Sequence, residues 1–343
     1  MNNWSQLPDN TKINIFRQLS IDTGLSPFAI EKDWWVSRTL ETIFAMDIAQ
    51  QLVFKGGTSL SKAWKLIHRF SEDIDLSIDM DYFVLPKNNW SKSERTKLRK
   101  EAGKYSTEVL FERIAVEFTK SGFSDVTFKT IETNESDQDP RVLEIYYPNL
   151  VSPNSQYVLP RILLEVSCRS LREPFTSVSL GSIVDEKHAH QPFAHAPFSV
   201  QTVNPERTFL EKLFLLHEEF QRPKEKIRTE RMSRHIYDIY HLSQAGIASK
   251  AIGDKDLYET IVAHRHKFTR ISGVDYNLHH PHELHPIPPN QLLNMWKLDY
   301  NKMKSEMIYE LNPPTFDSLI DNLKEIQTFL KTIPWEFELS FNH

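Results

Sequence analysis

One short run constrains this chain more than any other feature. It reads Phe54-Lys55-Gly56-Gly57-Thr58-Ser59-Leu60 and resumes as Arg69-Phe70-Ser71-Glu72-Asp73-Ile74-Asp75-Leu76. Leu52-Val53-Phe54 is a short apolar stretch, the outline of a strand that enters a tight turn at the two glycines. Thr58 to Arg69 then reads as a helix, with Leu60, Ala63, Trp64 and Ile67 on one face and Thr58 or Ser59 as its cap. Asp73 to Ile78 alternates charged and apolar residues, the pattern of a half-buried strand. The whole chain has only nine glycines, so two together at a strand–helix junction carry information.

These residue types point to phosphate chemistry. Gly56 and Gly57 let the backbone approach a bulky anion, and the helix that follows aims free N–H groups and a positive dipole end at the same place. Thr58 and Ser59 add hydroxyls; Ser71, beside the next strand, either contacts phosphate or caps a turn. Asp73 and Asp75 are two apart on a strand, so both leave the same face. Side by side they repel, and a divalent cation with a taste for hard oxygen ligands, Mg²⁺, relieves that repulsion. A phosphate seat beside paired carboxylates implies metal-assisted phosphoryl or nucleotidyl transfer.

The rest of the chain frames this site. Residues 1–50 read as helices, from Ile13, Phe16 and Leu19 and then Ile30, Trp34, Leu40, Ile43 and Phe44. Residues 92–121 read as a long helical stretch rich in both charges. Val126–Ile131, Leu143–Tyr147 and Arg161–Ser167 read as strands. Pro192, Pro197 and Pro205 punctuate residues 186–205, and the domain boundary is placed there. Beyond it, Glu206–Phe220, Arg231–Gln244 and stretches after 290 read as helical. The expectation is therefore an α+β chain, with a domain over residues 1–195 and a mostly helical one over 196–343. The single cysteine, Cys168, excludes a disulfide within the chain and suits a reducing, cytoplasmic setting. No apolar run approaches the ~20 residues that span a bilayer, and Met1-Asn2-Asn3-Trp4-Ser5 lacks a signal-peptide layout. The formal net charge of −5 means that any nucleic acid would have to be held by a local basic groove, drawn from Lys55, Lys62, Lys65, Arg69 and residues 224–234.

Two later segments carry polar groups in apolar helices. Lys212 lies in a helix with Phe209, Leu210, Leu213, Phe214 and Leu216. A lysine there needs an anion: Glu211, an acidic core residue, or a bound triphosphate. Arg234 and Asp238 are four apart in a second helix and can bridge each other. The histidine-rich passage from His279 to His285 is broken by Pro281, lacks the paired spacing of a zinc site, and reads as a polar loop. Cys168 reads as a small buried filler.

The run Lys55–Leu60, the run Arg69–Leu76, Ile30-Glu31-Lys32-Asp33-Trp34, Glu211-Lys212-Leu213, Arg234–Tyr240, Asp299-Tyr300 and Pro314-Thr315-Phe316 together resemble the AbiEii/AbiGii toxin family of nucleotidyltransferases. These are the toxin half of type IV toxin–antitoxin pairs, within the DNA polymerase β-like superfamily. The resemblance implies a polymerase β-like domain with a small mixed sheet, two metal-binding carboxylates on one strand and a third on its neighbour. Asp73 and Asp75 match the pair, and Glu165 stands where the superfamily often has Asp; its plain alternative is a bridge to Arg161 or Arg169. It assigns Lys212 to the triphosphate, Asp238 to orienting Lys212 or the nucleotide, and Arg234 to a phosphate or RNA. It implies Mg²⁺, an NTP, an RNA acceptor that is the 3′ end of a tRNA, and a cognate antitoxin. Two other readings stay open: nucleotidylation of a protein hydroxyl, and a nucleotide-binding module that has lost catalysis.

Overall fold

Seven strands pair into one mixed sheet: β1 (Leu52–Lys55), β2 (Asp73–Ile78), β3 (Thr127–Thr130), β4 (Arg141–Tyr146), β5 (Arg161–Ser167), β6 (Phe175–Leu180) and β7 (Phe198–Val203), in the order β3-β4-β5-β2-β1-β7-β6. The structure is a computed structural model and describes residues 3–71, 73–83, 90–152 and 159–341. β2 runs parallel to β5 and antiparallel to β1, and β1 runs parallel to β7. Alternation along the strands sorts the faces: Ile74, Leu76, Leu52, Phe54, Ile162, Leu164 and Leu143 are fully or almost fully buried, whereas Asp73, Asp75 and Glu165, on the other face, are half-buried. The α+β class read from the sequence is the class observed. β6 and β7 are additions; β7 falls inside the proline-punctuated passage, where its single turn of alternation, Phe198 to Val203, is too short to stand out.

The chain divides into two units, residues 1–63 with 70–203 and residues 64–69 with 204–343. In the first, α1 (Asp9–Thr23) and α2 (Pro27–Phe44) are followed by the one-turn α3 (Gly56–Thr58), which continues as a π-type turn over Ser59–Ala63. Further on come α4 (Lys92–Tyr105), α5 (Phe111–Lys120) and the short α6 (Ile183–Lys187). Pro27 at the first turn and Ser26, whose side chain accepts from Ala29 N, start α2. α2 is buried almost all round and packs on β5 and β7. Its motif residues are braces. The Glu31 carboxylate accepts Leu150 N and Val151 N at 2.7 and 2.9 Å, Lys32 Nζ donates to Leu159 O at 2.9 Å, and Asp33 takes Lys62 Nζ at 2.6 Å and Ile183 N at 2.8 Å.

The helix expected over Thr58–Arg69 is shorter than its apolar pattern suggested. It ends at Ala63, and Lys65 adopts a left-handed φ of 53°. Residues 64–69 belong to the second unit because their backbone pairs there: Arg69 bridges Ile308, and Tyr309 N donates to His68 O at 3.1 Å. That unit is helical: α7 (Pro205–Phe220), α8 (Ser233–Gln244), α9 (Ile247–Gly253), α10 (Lys255–His264), α11 (Leu293–Glu306) and α12 (Phe316–Leu330). The His279–His285 passage is not wholly a polar loop. His279 is fully buried, stacked on Tyr276 with ring centroids 4.9 Å apart and 3.2 Å from Glu218 Oε1. Among the described residues no helix is long and apolar enough to cross a membrane.

Two positions set local geometry that the folded state depends on. Gly56 has φ +78°, and a Cβ placed there would overlap the Asp75 carboxylate oxygen Oδ2. Gly56→Ala therefore meets the left-handed backbone penalty of ~1–2 kcal/mol and a collision besides. Urea melts of the variant should show a loss of about 2 kcal/mol or more, and wild-type stability would disprove the close approach. α8 has no side-chain cap of its own. Asp299 of α11 supplies one, accepting Arg231 N at 2.6 Å, Ser233 N at 2.9 Å and Ser233 Oγ at 2.5 Å. Asp299→Ala should cost about 1–2 kcal/mol in the same melts, with Asp299→Asn, which keeps an acceptor, losing less.

Candidate active site

The site of the first unit is built on the middle of the sheet. Asp73 and Asp75 share one face of β2, and the parallel pairing of β2 with β5 sets Glu165 directly beside Asp75. Residues in register on neighbouring strands point the same way, so the three carboxylates line one face of two adjacent strands. Val142 is the partner of Glu165 on its other side, and Lys55 is the partner of Asp75 across β1. The alternative of a Glu165 bridge to Arg161 or Arg169 gives way to other pairs: Arg161 is paired with Glu144, and Arg169 Nε with Asp139 Oδ2 at 2.8 Å.

The Gly-Gly turn is tied to this strand from below. Thr58 Oγ1 lies 2.5 Å from Asp73 O, which accepts its proton, and 3.0 Å from Ser71 Oγ. Ser59 Oγ donates to Gly56 O at 2.9 Å, and both Thr58 and Ser59 are buried. Their hydroxyl protons thus hold the turn in shape, and Ser71 closes the same small network. What the turn offers outward is bare glycine backbone at Gly56 and Gly57. Packing of the Asp75 carboxylate against Gly56 leaves no room for a Cβ.

Whether Asp73, Asp75 and Glu165 suit a divalent ion is a question of donor chemistry. All three offer hard carboxylate oxygens, the ligands Mg²⁺ prefers, and they line one face of adjacent strands. As the side chains stand, no three imidazole, thiol or carboxylate groups among the described residues close on a single point. The set fits a partly open ion site that keeps waters and substrate oxygens in its shell, and does not fit a closed structural cage.

The second unit carries a separate buried cluster. Arg69 grips Asp238 with both guanidinium arms, Nε to Oδ1 and Nη2 to Oδ2, each 2.7 Å. Lys212 Nζ lies 2.9 Å from the same Oδ2. Asp238 is fully buried, Arg69 is 2% and Lys212 8% exposed. Burial alone would raise the Asp238 carboxyl, but the charges of Arg69 and Lys212 outweigh it and hold the group well below the usual range. Burial lowers the Lys212 ammonium; Asp238 counters this while the positive charge of Arg69 adds to it. Burial first, then Lys212 and Arg234, keeps neighbouring His235 neutral. Two cations thus share one buried carboxylate.

Lys212 is therefore paired with Asp238, and Glu211 instead accepts Arg207 Nε at 3.0 Å on its own helix. Asp238 was expected to orient Lys212, or to bridge Arg234 within α8. Its main partner is Arg69, which lies 169 residues away in sequence. Of the residues named for a basic groove, Lys62 is bound to Asp33, Arg69 to Asp238, and Lys55 Nζ donates to a neutral hydroxyl, Ser170 Oγ, at 2.7 Å, whereas Lys224, Lys226 and Arg228 are exposed. The sequence marked Lys55 as a groove cation and Asp33 and Asp299 only as members of the family runs, and it gave none of them the bracing contacts seen here. For Asp33 the one available signal was its place in the Glu-Lys-Asp-Trp run.

A family model for the AbiEii toxin, a nucleotidyl transferase of type IV toxin–antitoxin systems, matches residues 38–322. Among solved structures the chain is similar to MenT4, a nucleotidyltransferase toxin from Mycobacterium tuberculosis H37Rv, at 16% identity and a TM-score of 0.48, over 92% of this chain and 90% of that one. It is also similar to JHP933 from Helicobacter pylori, at 14% identity and a TM-score of 0.40, over 89% of this chain and 93% of that one. No curated protein matches it. The family match takes in both the Gly-Gly and Asp-x-Asp run of the first unit and the Lys212–Asp238 pair of the second, and the chain belongs to the AbiEii family of nucleotidyltransferase toxins.

Proposed function

We propose that this chain transfers a nucleotide from an NTP to an RNA acceptor, the 3′ end of a tRNA, with Mg²⁺ held by Asp73, Asp75 and Glu165. The observation that carries the reading is the register of β2 and β5, which sets Asp75 beside Glu165 on the face where Gly56 leaves room for a carboxylate. In the reaction the acceptor hydroxyl oxygen bonds to the α-phosphorus, the bond from that phosphorus to the bridging oxygen breaks, and pyrophosphate leaves. Bound Mg²⁺ supplies positive charge to the transferring phosphoryl group and its leaving oxygen. Glu165 takes the proton of the acceptor hydroxyl or orients it. The backbone at Gly56 and Gly57 admits the phosphates, with Thr58, Ser59 and Ser71 keeping the turn in the required shape. Lys212, oriented by Asp238, meets charge that grows on the pyrophosphate, and Arg234 adds a phosphate contact. As a type IV toxin the protein acts in the cytoplasm and is countered by a cognate antitoxin.

Incubation with α-labelled NTPs, total RNA and total protein tests the acceptor. Label should appear in RNA of tRNA size, and it should decline steeply with added salt, as phosphate contacts do. Label confined to protein would favour the protein-hydroxyl reading, and none anywhere the inactive module. Asp73→Ala and Asp75→Ala should each abolish transfer and leave the melting temperature within a few degrees, because they remove carboxylate repulsion. EDTA should do the same to the wild type. Full activity in either variant would overturn the metal assignment. Lys212→Met removes the charge and preserves packing, and Arg69 still neutralises Asp238, so the fold should survive. The KM for NTP should rise at least about tenfold, equivalent to ~1.4 kcal/mol; unchanged kinetics would make Lys212 a purely structural cation. Expressed alone in a bacterium the chain should arrest growth, whereas Asp75→Ala at equal expression should be harmless.

A further inference from the structure

We infer that Lys55 is a substrate-phosphate ligand on the carboxylate face, a role distinct from that of the Gly-Gly turn it precedes. The inference rests on the reading of Asp73, Asp75 and Glu165 as the reaction centre. Lys55 ends β1 and is the cross-strand partner of Asp75. Directly paired residues of antiparallel strands project to the same side, so its stem leaves the sheet beside the Asp75 carboxylate. The stem is half-buried.

The partner of its head group is the telling feature. A structural lysine in that position would bridge the carboxylate opposite. Lys55 Nζ instead donates to a neutral hydroxyl, Ser170 Oγ, at 2.7 Å. An ammonium has three donors, and the Ser170 hydroxyl takes one of them. Ser170 is in turn fixed. Its carbonyl accepts from Ser77 Oγ at 3.1 Å, and Ser77 is fully buried one pleat beyond Asp75 on the same face. The chain before Ser170 is clamped by Asp139, which takes Ser167 Oγ at 2.6 Å, Cys168 N at 3.0 Å and Arg169 Nε at 2.8 Å. The ammonium is thus held in place by a rigid neutral perch, next to three acids but outside their ion pairs. A cation arranged in this way compensates the negative charge a phosphate brings onto an acidic face, and its position costs little reorganisation when that phosphate arrives. The phosphate belongs either to the NTP or to the backbone next to the acceptor's 3′ end.

Calorimetric titration with magnesium tripolyphosphate and, separately, with bulk tRNA distinguishes the two sources without relying on turnover. Lys55→Met should bind one of these probes at least about tenfold more weakly than the wild type, with the matching KM raised in the transfer assay and kcat changed less; Lys55→Arg should recover part of the loss. A weaker tripolyphosphate isotherm assigns the NTP, and a weaker tRNA isotherm the acceptor. Ser170→Ala separates ligand from brace. It removes the perch and leaves the charge, so it should keep most of the binding. If Ser170→Ala loses as much as Lys55→Met, or if Lys55→Met binds both probes as the wild type does, the inference is overturned. It is overturned as well if the wild type binds neither probe. The underlying reading fails by a different result, transfer that survives Asp75→Ala.

Discussion

Crowding of like charges on β2 and β5 is the constraint around which the first unit is arranged. Two carboxylates ~5 Å apart repel by about 3 kcal/mol at an effective dielectric constant of 20. Strand pairing sets Asp75 beside Glu165 on one face, and Asp73 sits one pleat away. The sheet bears the repulsion because its other face is apolar and closed. Ile74, Leu76, Ile162 and Leu164 have no exposed surface, so the strands cannot part without opening the core. Gly56 contributes by having no side chain, which lets the Asp75 carboxylate occupy the space a Cβ would fill. Thr58 and Ser59 spend their hydroxyls on Asp73 O and Gly56 O, and Asp33 secures Lys62 at the end of the same turn.

The second unit solves the opposite problem. There two cations, Arg69 and Lys212, meet one buried carboxylate, Asp238. Arg69 and Lys212 play unequal parts. The guanidinium is held on both arms and keeps its proton under all ordinary conditions, so it serves as the permanent counter-charge. The ammonium makes a single contact with Asp238, and burial lowers its hold on its proton. α8 presents Asp238 only while its first turn is held, and that hold comes from Asp299 on another helix.

Legibility in the sequence followed the range of the interactions. The short strand before the glycines, the spacing of Asp73 and Asp75 and the boundaries of β5 depend on neighbours in the chain, and were visible as alternation and punctuation. The end of the helix after Gly-Gly was not. Leu60, Trp64 and Ile67 keep helical spacing, but backbone pairing with residues 308 and 309 draws residues 64–69 away, and Lys65 turns left-handed to allow it. Burial of His279 was missed for a similar reason: Tyr276 lies in its own turn, but Phe214 and Glu218 come from α7, some sixty residues earlier, and no local pattern announces that meeting.

The sequence by itself determined the chemistry on offer. The residue types of the Gly-Gly turn, the paired aspartates and the lysine in an apolar helix specify acids beside a phosphate-tolerant backbone, and a cation in need of an anion, whatever the fold does with them. Tertiary structure alone decided who meets whom. It set Glu165 opposite Asp75, paired Lys212 with Asp238 in place of Glu211, gave Asp238 a second partner in Arg69, and moved Lys55 off the acids and onto Ser170. The physical reason is that side-chain type and strand period are local properties, whereas register and ion-pair choice arise from competition among residues on different elements, far apart in the chain.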